Sequence, residues 1–344
     1  MTESDLRLIR DSAGGIAPRT GDLKRIRALR FTTHGFDPAI WRQICDLGWP
    51  GLALSEAQGG SALGMAAFCA LAEEMGAALV PEPLISAALA ASGLPATHNA
   101  AHLAGTNLIL PAWQEQPDSL ARTWHCQLRD GRLSGRKYFV VQAAAASSFI
   151  VTTAQGLALV AAAGEGVQLS VEKIQDGGHF GTLDFTDAPA EPLSADHGLA
   201  IEEATLATAA TLLGVADRAF AITLDYLKSR SQFGKPIGSF QALQHRMADL
   251  KIQLELTRAS ITAAAHFYDQ GGPEVLRLAA ISRAKARASD SALLITRQAI
   301  QLHGGIGYTD EADIGLYLRK AMVLANLYGS AASHRARFAA LSKI

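Results

Sequence analysis

Aromatic side chains are scarce in this chain. Phe, Tyr and Trp make up 6% of its 344 residues, although hydrophobic residues as a whole reach 49%. Alanine supplies much of the difference, and because alanine is the strongest helix former the composition favours helices. Cysteine is equally sparse. Cys45, Cys69 and Cys126 show no CxxC or Cys/His spacing, which argues against a disulfide framework or a zinc site and makes a reducing compartment the default. Neither sign of charge is in excess. The formal net charge of −1 leaves no basic field of the kind that nucleic-acid binding uses. Met1 is followed by charged residues in place of an apolar core, so no signal peptide is expected. The most membrane-like run, Val140 to Gly164, is broken by Gln142, Ser147, Ser148, Thr152, Thr153 and Gln155. It reads as two short strands with a turn, no membrane span is expected, and the chain reads as cytoplasmic. His102, His125, His179, His245 and His303 have no mutual spacing for a metal or a triad, so no metal site is expected.

A chain of this length allows two or three domains with ample core. Residues 1–105 alternate helical patterns with short breaks. Asp37 to Leu47 opens with an N-cap and a proline at the first helical position, and a second amphipathic helix runs from about Met65 to Gly76. From about Asn107 to Pro192 the pattern changes to short alternating runs, separated by turn signals at Asp130-Gly131, Gly164 and Gly177-Gly178. From about Ala195 onward the patterns are helical, over 202–229, 239–269, 274–302 and 314–342. Ser239 caps the second, Pro273 stands near the start of the third, Gly304-Gly305 ends it, and Gly329 breaks the fourth. The expected fold class is therefore mainly α with a small β domain. It has an N-terminal helical domain (1–105), a middle β-barrel or sandwich (106–194) and a C-terminal four-helix bundle (195–344). The Ala-rich faces of the bundle suit contact between subunits or packing within it.

Between the first two of these long helices lies Arg230 to Leu250, RSQFGKPIGSFQALQHRMADL. One arginine, one aromatic and a backbone bent by Gly234, Pro236 and Gly238 make a compact place for an anion such as a pyrophosphate, because guanidinium offers a planar fork of donors. An ordinary turn with a solvated Arg230 is the plain alternative. After the third helix comes Gln301 to Glu311, QLHGGIGYTDE, followed by LYLRKA at Leu316 to Ala321. In this order and at this distance, the two stretches resemble the C-terminal domain of the acyl-CoA dehydrogenases, a family of FAD flavoproteins. DLGWPGLALSEAQGG followed by LAEEMGAALVPEPL resembles the family's N-terminal helical domain.

The resemblance implies α,β-dehydrogenation of an acyl-CoA thioester, in which a carboxylate removes the α-proton and FAD takes the β-hydride. It also implies an electron-transfer flavoprotein as acceptor. Arg230 and Phe233 would hold the pyrophosphate and adenine region of FAD, with Phe240 and Gln241 nearby, and Gln301, Gly304 and Gly305 would approach the ADP half closely. In the family these residues serve the FAD of a neighbouring subunit, so the resemblance implies a homo- or hetero-oligomer, a dimer of dimers.

Two family features are missing. Where the family has T-E-P-x-x-G-S against the flavin ring, this chain reads ILPAWQEQP, Ile109 to Pro117. Its K-x-W-[IV]-[TS]-N becomes Lys137-Tyr138-Phe139-Val140-Val141-Gln142. Phe139 would lie against the ring or be a strand core residue, and Val141 has no hydroxyl to donate. The family's Y-E-G-T falls on Leu327-Tyr328-Gly329-Ser330, so Tyr328 stands at the catalytic glutamate position. A second position used by some members, counted back from Gly214, is Ala204. Glu203, beside it, is a candidate base, although one residue is about 100° of helix rotation. Glu202 and Glu203 also suit the positive end of a helix dipole. Tyr328 as a base would need a pKa far below about 10. The expected function is the glutamate-lacking subunit of a heteromeric FAD-dependent acyl-CoA dehydrogenase, of the α2β2 kind that occurs among enzymes of bulky steroid-derived acyl-CoAs. A homomeric enzyme using Glu203, or an inactive acyl-CoA-binding homologue, are the alternatives.

Overall fold

The computed structural model describes residues 2–116, 120, 122–193 and 198–342. Pro117 and the expected boundary between residues 194 and 195 lie outside them. The chain divides into two compact units, one of residues 1–24, 69–80 and 205–344 and one of residues 25–68 and 81–204.

The helices are α1 (Glu3–Ile16), α2 (Lys24–Leu29), α3 (Pro38–Asp46), α4 (Gly64–Ala77), α5 (Leu84–Gly93) and α6 (Ala96–Leu103), then α7 (Ile201–Ser229), α8 (Gln241–Asp269), α9 (Glu274–His303), α10 (Ile314–Leu324) and α11 (Ala331–Leu341). The strands between α6 and α7 are β1 (Ile109–Ala112), β2 (Gln127–Arg129), β3 (Arg132–Val141), β4 (Ser148–Thr153), β5 (Gly156–Ala161), β6 (Val167–Lys173), β7 (His179–Pro189) and β8 (Glu191–Pro192). The chain is thus mainly helical with a small β region.

In the first unit, α4 and α7 touch backbone to backbone. A Cβ on Gly76 would stand 2.2 Å from the Thr211 carbonyl oxygen, and one on Gly214 would stand 1.8 Å from that of Glu73. Only glycine permits this approach. Charged side chains surround the crossing: Arg19 donates to Glu74 and Asp217, and Arg258 donates to Glu73. In the same unit, α10 and α11 are separate helices. Between them Tyr328 (φ +58°) and Gly329 (φ +101°) turn the chain. The fully buried Lys285 ammonium holds this turn by donating to the carbonyls of Ala325 (3.0 Å) and Gly329 (3.1 Å) and to Ser289 Oγ (3.1 Å). His334 Nε2 donates to the Tyr328 carbonyl at 2.9 Å.

Ser239 does not cap α8. Phe240 holds the cap position without a side-chain bond, and the Ser239 hydroxyl donates instead to the Pro236 carbonyl at 2.7 Å. The local turn captures a hydroxyl that the helix end would otherwise use. Of the described helices, α7 is long and apolar enough to cross a membrane, but 67% of its apolar window is buried in the fold.

In the second unit, Asp37 caps α3 by accepting from the Ala39 N–H, and Pro38 occupies the first helical position where its missing donor costs nothing. Two four-stranded sheets follow, ordered β1-β4-β5-β8 and β2-β3-β7-β6. The β1/β4 pair is parallel and every other pair in these sheets is antiparallel. A core of Ala90, Leu94, Ile109, Ile150, Leu157 and Leu193 joins α5 to the first sheet. Gly93 lets the two approach, since a Cβ there would meet Ile150 at 2.8 Å and Leu157 at 2.9 Å. His102 fastens β1 to this layer: Nε2 donates to the Ala87 carbonyl (2.9 Å), and Nδ1 accepts from the Ile109 N–H (3.2 Å). All three cysteines are free and buried, and burial pushes the Cys45 thiol up to about 12 and Cys126 to about 11.

Candidate functional site

At one end of the bundle, α7 passes into a two-residue hairpin of β9 (Ser231–Gln232) and β10 (Lys235–Pro236). Phe233 (φ +54°) and Gly234 (φ +76°) form its tip, the pair of left-handed residues that a tight hairpin turn needs. Arg230 is exposed at the base of the hairpin. Its N–H donates to the Tyr226 carbonyl, and its own carbonyl accepts from the Ile237 N–H, both at 2.8 Å. The Phe233 ring is 90% exposed and meets Phe240 edge-on at 6.2 Å, while Lys235 Nζ stands 4.4 Å from the Phe240 ring centre. Gln241 lies exposed in the first turn of α8.

At the end of α9, Gln301 is exposed and Gly304 adopts φ +65°, ψ −143°, a conformation left to glycine. A Cβ on Gly304 or Gly305 would meet nothing within 4 Å, so this backbone faces open space. The two stretches are joined. The Tyr226 ring stacks on that of His303 with centres 4.4 Å apart, and its hydroxyl donates to the His303 carbonyl at 3.3 Å. Exposed cation, exposed aromatic and bare glycine backbone fit a diphosphate with an attached adenine: the guanidinium neutralises charge, a phenyl face accepts the base, and glycine lets phosphate approach the main chain. The sequence points to Arg230, Phe233, Phe240, Gln241, Gln301, Gly304 and Gly305. Tyr226, His303 and Lys235 carry no such mark in the sequence, although Tyr226 stands one helical turn before Arg230.

The positions of the family base carry no carboxylate. Tyr328 is 2% exposed and Ala204 3%. Ala204 and Glu203 both line a cavity of about 20 Å³ walled by Pro50, Leu54, Phe68 and Leu89, room for a single water. The rotation between adjacent helical residues therefore does not take Glu203 off that wall. Glu202 pairs with Arg122 at 2.5 Å.

The β region departs further from a flavin-ring site. Glu115 accepts from Lys137 Nζ (2.5 Å), the His125 N–H (2.7 Å) and the Cys126 N–H (3.1 Å). Lys137 is fully buried, donates also to Thr152 Oγ1 (2.8 Å), and lies 5.1 Å from the centre of the Trp124 ring system. Burial raises the Glu115 carboxyl, but these donors outweigh it and hold the group below the usual carboxylate range. Burial lowers the Lys137 ammonium, against the pull of Glu115. The cavity beside Trp113, Glu115, Trp124 and His125 measures about 50 Å³, whereas ligand pockets run to about 300 Å³ or more. That cavity is too small for an isoalloxazine ring. Phe139 is not a strand core residue either. A bulge between Lys137 and Val140 gives it φ +55° and leaves it 38% exposed, edge-on to Phe180 at 6.0 Å.

Comparison with known proteins identifies the family. The acyl-CoA dehydrogenase N-terminal domain family matches residues 4–103, and the acyl-CoA dehydrogenase C-terminal domain family matches residues 199–341. The chain belongs to the acyl-CoA dehydrogenase family, FAD-dependent oxidoreductases that act on the CH–CH group of acyl-CoA thioesters. It is 31% identical over 335 residues to the acyl-CoA dehydrogenase IpdE2 of Mycobacterium tuberculosis, covering 94% of this chain and 92% of that one. Among solved structures, a variant of the Tcur3481-Tcur3483 steroid ACAD superposes with a TM-score of 0.89 at 29% identity, over 99% of this chain and 98% of that one. The ChsE4-ChsE5 complex from Mycobacterium tuberculosis shares the fold with a TM-score of 0.85 at 24% identity, over 100% of this chain and 98% of that one.

Proposed function

We propose that this chain is the glutamate-lacking subunit of a heteromeric acyl-CoA dehydrogenase, arranged as a 1–105 helical domain, a 106–194 β domain and a 195–344 bundle. It lends the cradle at Arg230 and Gly304 to the FAD of a partner chain that carries the base. The observation behind the proposal is one contrast: an exposed arginine, aromatic and glycine set suited to an ADP half stands in a chain with Tyr328 and Ala204 where the family places its carboxylate. When bound, FAD accepts the β-hydride of the acyl thioester. This chain's part is to neutralise the diphosphate with Arg230, to hold the adenine region with Phe233 and Phe240, and to bring the Gly304–Gly305 backbone up to the phosphates. The likeness to the Tcur3481-Tcur3483 steroid ACAD supports an assembly of more than one chain, and the family resemblance implies a dimer of dimers with an electron-transfer flavoprotein as electron acceptor.

The test is flavin content by visible absorbance, first for the chain expressed alone and then with its partner. Little flavin alone, rising to about one FAD per two chains with the partner, is the expected outcome. One FAD per lone chain, with turnover, would overturn it.

A second reading has one observation in its favour, the shared cavity wall of Glu203 and Ala204. If Glu203 is the base of a homomeric enzyme, the lone chain turns over acyl-CoA and Glu203→Gln abolishes that turnover. The cavity holds one water, so this reading also requires the wall to open for a thioester.

A further inference from the structure

We infer that Tyr226 is a positioning residue for the cofactor cradle, acting through His303, and that the two set the separation between the arginine and glycine halves of the site. The inference rests on the reading of that end as an ADP cradle. Tyr226 reaches both halves. Its carbonyl accepts from the Arg230 N–H at 2.8 Å, which fixes where α7 ends and the hairpin begins. Its ring lies on the His303 imidazole, with centres 4.4 Å apart and planes at 19°, and its hydroxyl donates to the His303 carbonyl at 3.3 Å. That carbonyl belongs to the peptide that leads into Gly304.

His303 is in turn fixed. It is 7% exposed, and Nδ1 lies 2.8 Å from the Ala299 carbonyl one turn back, so the ring cannot swing without losing a helix-end bond. Burial holds its imidazole below the ordinary value, which keeps the stacked ring neutral at physiological pH. The consequence is geometric. A diphosphate bound between Arg230 and the Gly304–Gly305 backbone needs both at a set spacing. The bonds from Ile237 to the Arg230 carbonyl and from Ser239 to the Pro236 carbonyl shape the hairpin itself, whereas Tyr226 ties its base to the Gly304 end.

The test uses FAD itself as the probe, titrated into the flavin-stripped complex of the full chain with its partner. The flavin fluorescence of free FAD is quenched by internal stacking on its adenine, so binding of the ADP half in extended form raises it. Four proteins are compared, each with its melting temperature: wild type, Arg230→Met, Tyr226→Phe and Tyr226→Ala. Tyr226→Phe keeps the stack and loses the hydroxyl bond, so affinity should fall about fivefold with a melting temperature within a degree or two of wild type. Tyr226→Ala should fall further, and the conservative variant should recover part of that loss. A purely structural role would lower the melting temperature and leave the affinity of the folded protein unchanged, which would sink the inference. If Arg230→Met loses binding but neither Tyr226 variant does, the cradle stands and the positioning role fails. If wild type does not bind FAD, or Arg230→Met binds as wild type does, the cradle reading itself fails.

Discussion

Glu115 and Lys137 meet behind Trp113, where the carboxylate takes three donors and the ammonium is sealed from solvent. Removing one member of a buried pair strands the other charge, which costs about 3–5 kcal/mol. Glu115→Ala should therefore destabilise the chain by that order in urea denaturation, and Glu115→Ala combined with Lys137→Met should regain much of it. If the double variant proves as unstable as the sum of the two single ones, the pair is not coupled. Nothing in the sequence announces this contact. Spacing within a motif is legible because Arg230, Phe233 and Gly234 are neighbours whose roles depend on one local turn. Glu115 with Lys137, or Tyr226 with His303, are brought together by the fold, and no periodicity records such pairs. Phe139 escaped for a different reason. Alternation places it in a strand, but the bulge that turns its ring outward leaves no mark on the pattern.

Helix α7 was readable almost to the residue, since its apolar stripe and the Gly-Pro stretch beyond it leave few other ways to fold. The end of α9 was equally clear at Gly304-Gly305. What periodicity could not supply was the manner in which α4 and α7 cross. Gly76 closes one helical pattern and Gly214 lies inside another, where glycine carries a penalty of about 1 kcal/mol against alanine. In an isolated helix Gly214→Ala would stabilise. Here the added methyl would collide with the Glu73 carbonyl, and moving a backbone is not cheap. The expected result is the opposite sign, a loss of about 1–3 kcal/mol in denaturant unfolding. A stabilised Gly214→Ala variant would show that the helices separate without difficulty. The Ser239 cap failed as an expectation at this same scale, because two elements competed for one hydroxyl and the tighter turn prevailed.

For the molecule as a whole, three of the buried imidazoles make it sensitive to mild acid. Burial holds His102, His179 and His303 below the ordinary histidine value. Between the folded and unfolded values the unfolded chain binds more protons. Stability is therefore complete above about pH 6.5 and declines as the pH falls below it. Protonating His102 would in addition displace the Ile109 N–H from Nδ1 and loosen β1. The melting temperature should be lower at pH 5.5 than at pH 7.5, and recover on return to neutrality. A flat profile over that interval would show that these rings titrate as they do in water. The three buried cysteines carry a consequence of another kind. Cys69 belongs to one compact unit, while Cys45 and Cys126 belong to the other. A thiol-reactive dye therefore meets no accessible thiolate until a unit opens, and the order in which the three become labelled times the opening of each unit separately.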